Sequence, residues 1–222
     1  MSDCCAVLLD IVGIQNYIFR SNKLKENLGA SYLLKNIYTN CLVSALSKIN
    51  KRSFKEELED LNDWKESDAN APDCSKPVDI GYIGGGNAVL FFQNEELSKR
   101  FITIWTKYLL INTPGLTTAV AFDKFPEAPE QYSLRLKSLF KKLNENKNKH
   151  NPITSLRRHG ITAECARSEL SAEIYNLTIE EYVSADVNAR IKAAAIYKKE
   201  IEEKYQSLLQ NDYCFTDELD DL

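Results

Sequence analysis

Four short apolar runs, set apart by longer stretches with helical periodicity, limit what this chain of 222 residues can fold into. They read CAVLLDIVG over 5–13, VDIGYI over 78–83, AVLFF over 88–92 and LTTAVAFD over 116–123. Continuous apolar runs of this length are typical of strands at the centre of a covered sheet. The second and third runs flank the glycines at 84–86, and this pattern predicts a β-hairpin.

Segments with helical character lie between these predicted strands. IQNYIF begins a helix directly after the first strand, 23–49 places apolar side chains at close to helical spacing, and 95–112 is amphipathic. The order is therefore βαββαβ. This order predicts an α+β fold of the ferredoxin-like type, a four-stranded antiparallel sheet with helices on one face.

The rest of the chain is expected to extend this core. Residues 1–124 form the predicted core, and the charged, weakly periodic stretch 50–76 is interpreted as a surface insertion. Residues 125–222 are predicted to be a helical extension. It contains a helix over 128–147, a β-hairpin near 160–176 and a long helix over 178–209.

Charge and cysteine usage narrow the functional classes. With 28 Lys and Arg against 32 Asp and Glu, the net charge of −4 argues against non-specific nucleic-acid binding through bulk charge. The six cysteines contain no C-x-x-C pair, and the chain contains only two histidines, so a zinc site is not expected. We interpret Cys4 and Cys5 as small apolar residues at a strand start and predict a reducing, cytoplasmic setting.

The end of the first strand and the tip of the hairpin lie side by side in such a sheet. Asp10, together with the carbonyl oxygen of Ile11, is a candidate ligand for Mg²⁺ or Mn²⁺ at this position. Gly13 follows at the start of a helix, where backbone N–H groups suit phosphate oxygens. Asp10 has an alternative interpretation as a cap of that helix.

Three motifs in this order carry a family resemblance. DIVGIQNYIFRSNKLKENLGASYLL, GYIGGGNAVLFF and GLTTAVAF together resemble the palm domain of the large subunit of type III CRISPR effectors and its stand-alone relatives, which is akin to the GGDEF cyclases. The resemblance covers roughly residues 4–124. It implies an ATP-binding palm, because active members make cyclic or linear oligoadenylates from ATP as defence signals.

The resemblance can be carried over residue by residue. Gly84 and Gly85 match the two glycines of the family's GGDD hairpin, whereas Gly86 and Asn87 stand where the aspartates would be. Neither replacement carries the negative charge that neutralises a metal. Ser31 matches a serine that faces the nucleotide, and its alternative role is that of a small residue at a close helix packing. The resemblance therefore implies a nucleotide site formed by Gly13, Ser31 and 84–87 in a catalytically degenerate palm.

The large subunits of the family carry two palms, one of which lacks the acids. The resemblance thus implies a second palm as partner, in trans or as a homodimer, within an RNA-containing CRISPR-type complex. No membrane is expected as partner, because no stretch of the sequence reaches the roughly 18 apolar residues that a membrane span needs. Two alternatives stay open. The first is an active nucleotidyl cyclase that combines Asp10 with Asp79 or Glu164, and the second is a ligand-free assembly scaffold.

Two further features have weaker functional interpretations. Arg157, Arg158 and His159 form the concentrated basic spot of the sequence, which suits phosphate or RNA but is also typical of a plain surface. Cys165 has no base beside it in the sequence, so a Cys–His nucleophile has no positive support.

Overall fold

The computed structural model of the protein describes residues 4–50, 72–126, 129–149, 163–168 and 170–205. The strands in these ranges are β1 (Cys5–Val12), β2 (Val78–Gly84), β3 (Asn87–Phe92), β4 (Thr117–Lys124), β5 (Ile174–Asn176) and β6 (Glu181–Val183). The α-helices are α1 (Ile14–Ile18), α2 (Leu24–Asn36), α3 (Leu42–Asn50), α4 (Glu95–Asn112), α5 (Tyr132–Lys149) and α6 (Ala185–Tyr205). A π-helical turn, Ile37–Cys41, joins α2 to α3.

The chain divides into two compact units that do not follow its linear order. The first comprises 1–12, 37–110 and 116–152, and the second comprises 13–36, 111–115 and 153–222. We describe each unit by itself.

The first unit contains the predicted sheet. Its strand order is β2-β3-β1-β4, and every neighbouring pair is antiparallel. This is the ferredoxin-like arrangement, so the α+β fold class is confirmed. β1 is a central strand and is buried from Cys5 through Ile11, as its continuous apolar run predicts.

Helices cover both faces of this sheet. On one face, Phe92 of β3 contacts Phe101 of α4, with ring centroids 5.1 Å apart. On the other face, Ala6 and Leu8 of β1 belong to one buried cluster with Leu139 and Leu143 of α5. Helix α5 is therefore a second layer, which the prediction of helices on one face did not include. The reason is its leucine stripe, which needs an apolar surface to bury.

Polar side chains of α5 also contact the edge of the sheet. The amide Nδ2 of Asn146 donates to the carbonyl oxygen of Val120 at 2.9 Å, and Nζ of Lys142 donates to that of Phe122 at 3.0 Å. Both carbonyls belong to β4, the last strand of the sheet order. The helix beside this edge strand thus satisfies two of its outward-facing backbone acceptors.

Helices α2 and α6 form the core of the second unit. Gly29 of α2 packs against the Arg190 carbonyl group of α6. Further along both helices, the Tyr32 hydroxyl donates a hydrogen bond to Glu200. Because later residues of α2 contact later residues of α6, the two helices run in the same direction. A Cβ atom added to Gly29 would lie 1.9 Å from the Arg190 carbonyl oxygen. This distance requires glycine at the crossing.

Charged side chains are paired inside the second unit. Arg167 donates through Nη1 to Glu26 at 3.0 Å and through Nε to Glu181 at 3.0 Å. Arg190, which is 1% exposed, donates through Nε to Asp186 at 2.9 Å. Buried charges of this kind need such partners, because transfer from water is costly.

Within the range of the predicted hairpin, 160–176, residues 164 and 171 form an antiparallel bridge, and a second antiparallel pair, β5–β6, follows it. The predicted start of the last helix needs correction. The final helix begins at Ala185 and not at 178, because residues 181–183 pair as a strand. Predictions for 51–71, for Arg157, Arg158 and His159, and for the end of the last helix beyond 205 lie outside the described residues.

The interpretation of Cys4 as a small apolar filler is wrong. Cys4 forms a disulfide with Cys74, and their Cα atoms are 5.7 Å apart. Phe92 of β3 is the register partner both of Val78, at the start of β2, and of Cys5, at the start of β1. The segments just before these two strands, which contain Cys74 and Cys4, are therefore close to each other. The disulfide removes the cysteine-based argument for a reducing setting, since such bonds persist in oxidising compartments. Cys5 is a buried free thiol, as expected.

None of the helices in the described ranges combines the length and the apolar composition that a membrane crossing requires.

Candidate functional site at the end of strand β1 and the glycine hairpin

The predicted neighbourhood of Asp10 and the hairpin is present in the first unit. Asp10 pairs in register with Asn87, the first residue of β3. The Ile11 N–H donates to the Gly86 carbonyl oxygen at 3.0 Å. This pattern makes Asp10 and Asn87 a non-hydrogen-bonded pair, whose side chains lie on the same face at the closest cross-strand spacing.

The hairpin turn requires glycine at its two central positions. Gly85 has φ of 58° and Gly86 has φ of 87°, so both residues lie in the left-handed region. Two consecutive residues with positive φ are typical of the tight primed turns that match the twist of a hairpin. These glycines are therefore explained by the turn itself, independently of a ligand.

Space beside the glycines differs between neighbouring positions. A Cβ atom at Gly84 would lie 2.6 Å from the Tyr82 hydroxyl, so this side chain already fills the space beside Gly84. At Gly85 the same hydroxyl is the nearest group, at 3.9 Å. The Cβ side is therefore filled by Tyr82 at Gly84, whereas at Gly85 the same hydroxyl is at ordinary van der Waals distance.

A tyrosine that the sequence did not single out holds the tip. The Tyr38 hydroxyl donates to the Gly86 carbonyl oxygen at 2.7 Å, beside the bond from Ile11. Burial raises the pKa of Tyr38 well above its ordinary value, and the negative charge of Asp10 adds to this shift. Tyr38 therefore remains a neutral donor across the physiological pH range.

The carboxylate of Asp10 has a charged partner. Nζ of Lys147 in α5 lies 2.7 Å from Oδ2 of Asp10. Asp10 is 8% exposed. The role of Asp10 as a helix cap is not seen, because the N-cap of α1 is Gly13 and makes no side-chain cap bond.

These residues do not fit a divalent metal centre. Mg²⁺ and Mn²⁺ prefer several oxygen ligands with negative charge, and the strand facing Asp10 offers an amide at Asn87. Within the described part of the chain, no three His, Cys, Asp or Glu side chains are grouped as a metal site would need. In addition, the one carboxylate already neutralises an ammonium group.

Ser31 and Gly13, the other predicted nucleotide contacts, belong to the second unit. Ser31 is exposed, and its hydroxyl donates to the Asn27 carbonyl oxygen at 3.0 Å. Gly13 has φ of 69°, and its carbonyl oxygen accepts the Tyr17 N–H. Their roles toward a nucleotide stay predictions.

The acids considered for an active cyclase have other positions. Asp79 pairs in register with Phe91, which in turn pairs with Ala6, four residues before Asp10 on β1. At about 3.4 Å per residue, Asp79 is therefore separated from Asp10 by more than about 13 Å along the strand direction. Asp79 also accepts the Asp73 N–H. It therefore does not serve as the second acid, and Glu164 takes part in the isolated bridge of the second unit.

Cys165 also lies in the second unit and is fully buried. Burial acts to raise the pKa of its thiol, but hydrogen bonds from the Ser168 side chain and from nearby backbone N–H groups together outweigh it, so the pKa is lowered. Because a buried thiol cannot meet a substrate, this geometry gives no support to a nucleophilic role.

Comparisons with known proteins give structural similarities. No protein-family model matches the chain, and no curated protein matches it. A solved Csm1–Csm4 cassette in complex with pppApApA has a TM-score of 0.48 and 16% identity, covering 77% of this chain and 24% of that chain. The cassette in complex with cA3 has a TM-score of 0.47 and 16% identity, and the cassette in complex with AMPPNP has a TM-score of 0.46 and 17% identity. Each of these two matches covers 67% of this chain and 19% of the solved chain.

These cassettes belong to type III CRISPR complexes. This chain spans a quarter or less of the length of the solved chains named above, at 24% and 19%.

Proposed function

We propose that this chain is a catalytically degenerate, nucleotide-binding palm domain that acts in prokaryotic CRISPR-type antiviral defence and pairs with an active palm. The ferredoxin-like sheet and the order of the three motifs support the assignment to palms. A cytoplasmic setting is part of this proposal.

One observation carries the loss of catalysis. The cross-strand partner of Asp10 is Asn87, so a single carboxylate stands where two-metal catalysis requires several. An amide at this position accepts and donates hydrogen bonds but neutralises no metal charge. A nucleotide at this tip would be held by hydrogen bonds from Asn87 and by close approach to Gly85, where the Tyr82 hydroxyl leaves more space than at Gly84.

Calorimetry with ATP tests this proposal. We expect ATP to bind with micromolar affinity and with little dependence on Mg²⁺ or Mn²⁺. Asn87→Ala should weaken binding about tenfold, the effect of losing about 1.4 kcal/mol. Ser31→Ala tests the second predicted contact, and incubation of radiolabelled ATP with the chain and Mn²⁺ should give no oligoadenylate. Oligoadenylate formation that disappears in Asp10→Ala would instead establish the active cyclase.

Sedimentation velocity tests the pairing. The chain by itself should show the homodimer if palms pair between identical copies, and an active palm added in trans should form a heavier species if they do not. A chain that remains monomeric in both mixtures contradicts the pairing.

The ligand-free scaffold is favoured by one observation. The Tyr82 hydroxyl already fills the space beside Gly84. The absence of binding heat with ATP and other nucleoside triphosphates would establish this second candidate. Tyr82→Phe, which removes the hydroxyl, separates the two: it should improve ATP access to the tip if a nucleotide binds there.

A further inference from the structure

The spacing of residues along helix α5 places a lysine at the point where the buried leucines of this helix reach the end of β1. Leu139 and Leu143 are buried against β1, and Lys147 is the next position at the same four-residue spacing. Its side chain is 30% exposed, and its Nζ reaches Oδ2 of Asp10 at 2.7 Å. The helix thus delivers one positive charge to the one carboxylate at this position.

Two neighbouring contacts hold this part of α5 on the sheet. Asn146 and Lys142 donate to successive outward carbonyls of β4, at 2.9 and 3.0 Å. Lys147 is therefore fixed from the same helical turns that bond the edge strand.

A divalent ion and Lys147 cannot share this carboxylate in the observed arrangement. Mg²⁺ binds carboxylate oxygens at about 2.1 Å, which would place two positive charges within a few ångströms of each other in a buried setting. The ammonium group already supplies the charge that Asp10 needs.

We propose that Lys147 is a built-in cation that takes the place of the divalent metal at the end of β1. This inference rests on one part of the proposed function, namely that the chain is a palm that lacks the second acid. ATP calorimetry tests that function, whereas Mn²⁺ binding tests the role of Lys147. The two can therefore fail separately.

The role of Lys147 can be tested by introducing a carboxylate at Asn87. An aspartate there would face Asp10 across the closest cross-strand spacing and complete a pair of carboxylates. With Lys147 present, the ammonium group offsets one of the two negative charges and occupies an oxygen of Asp10. With Lys147→Gln, the pair lacks a cation and becomes a site for Mn²⁺.

Four variants and the wild-type protein test this by electron paramagnetic resonance, which measures the free Mn²⁺ that remains in solution. They are Asn87→Asp, Lys147→Gln, the double variant, and the double variant with Asp10→Asn as matched control. The double variant should bind Mn²⁺ at least about tenfold more tightly than Asn87→Asp. The control should lose this gain. The wild-type protein should show no Asp10-dependent binding below about 1 mM.

Thermal melting gives an independent reading of the same variants. Asn87→Asp alone should lower the Tm by only a few °C, because Lys147 still offsets one of the two facing carboxylate charges. The double variant should melt lower than the sum of the single effects predicts, and Mn²⁺ should restore its Tm.

Three results would overturn the inference. These are Asp10-dependent Mn²⁺ binding by the wild-type protein below about 1 mM, no gain in Mn²⁺ affinity in the double variant, and a double variant that melts no lower than the sum of the single effects predicts. The first result remains informative if the double variant does not fold.

Discussion

Tyr38 donates its hydroxyl hydrogen to the Gly86 carbonyl oxygen at 2.7 Å and thereby fixes the tip of the β2–β3 hairpin to the segment that follows α2. The same carbonyl accepts the Ile11 N–H. Two donors at one oxygen make the tip a fixed part of the first unit and not a free loop.

Tyr38→Phe should lower the free energy of unfolding by about 1 kcal/mol, the usual net value of one hydrogen bond. The loss is moderate because Gly86 keeps the bond from Ile11. Urea unfolding followed by circular dichroism measures it, and Tyr82→Phe is the control at a tyrosine that is 44% exposed. A change above about 3 kcal/mol in Tyr38→Phe would show that the aromatic ring has also moved.

Gly29→Ala should destabilise the second unit strongly. The new methyl group would lie 1.9 Å from the Arg190 carbonyl oxygen, so α2 and α6 must separate. We expect a loss of about 1–3 kcal/mol, as for other overpacked cores. The control Ser31→Ala is exposed on the same helix and should change stability by less than about 0.5 kcal/mol. Equal melting temperatures for the two variants would contradict the observed crossing.

The Cys4–Cys74 disulfide should contribute to stability under oxidising conditions. It closes a loop with a sequence separation of 70 residues. A cross-link of this kind is typically worth about 2–4 kcal/mol. Urea midpoints with and without a reducing agent measure this contribution, and Cys74→Ser should be insensitive to the reductant. If wild type and variant respond equally, the bond does not form in solution.

Glu181 should contribute stability that depends on pH. Its hydrogen bond with Arg167 holds the pKa of Glu181 below the ordinary value of 4.5. A carboxyl group whose pKa falls on folding stabilises the protein above its unfolded pKa, and this contribution is lost as the pH falls through the folded pKa. The difference in Tm between wild type and Glu181→Gln should therefore be constant above about pH 5 and shrink below it. A difference that grows on acidification would reverse the assigned sign.

Local features of the sequence were sufficient for much of the fold. The strand signals rest on apolar runs, and the hairpin rests on glycines whose positive φ the turn requires. The position of Asp10 beside the hairpin follows from the topology, because the order of the elements along the chain determines the order of the strands in the sheet. These predictions depend on neighbours in sequence or on the topology alone.

The remaining contacts depend on how distant elements pack. Lys147 lies far from Asp10 in sequence, and Cys4 lies far from Cys74. One local signal was nevertheless present for the lysine: it continues the four-residue spacing of Leu139 and Leu143. Tyr38 had no such signal, because its hydroxyl bonds a backbone oxygen and not a complementary side chain.

The contacts of α5 with β4 have a consequence for association between molecules. A strand from another molecule that added to this edge would need the carbonyl groups of Val120 and Phe122, which already accept hydrogen bonds from Asn146 and Lys142. A hydrogen bond from the incoming strand to either carbonyl would therefore compete with one that already exists and gain less. At these two positions the helix makes β4 a poorer template for edge-to-edge strand pairing, a hazard of uncovered sheet edges.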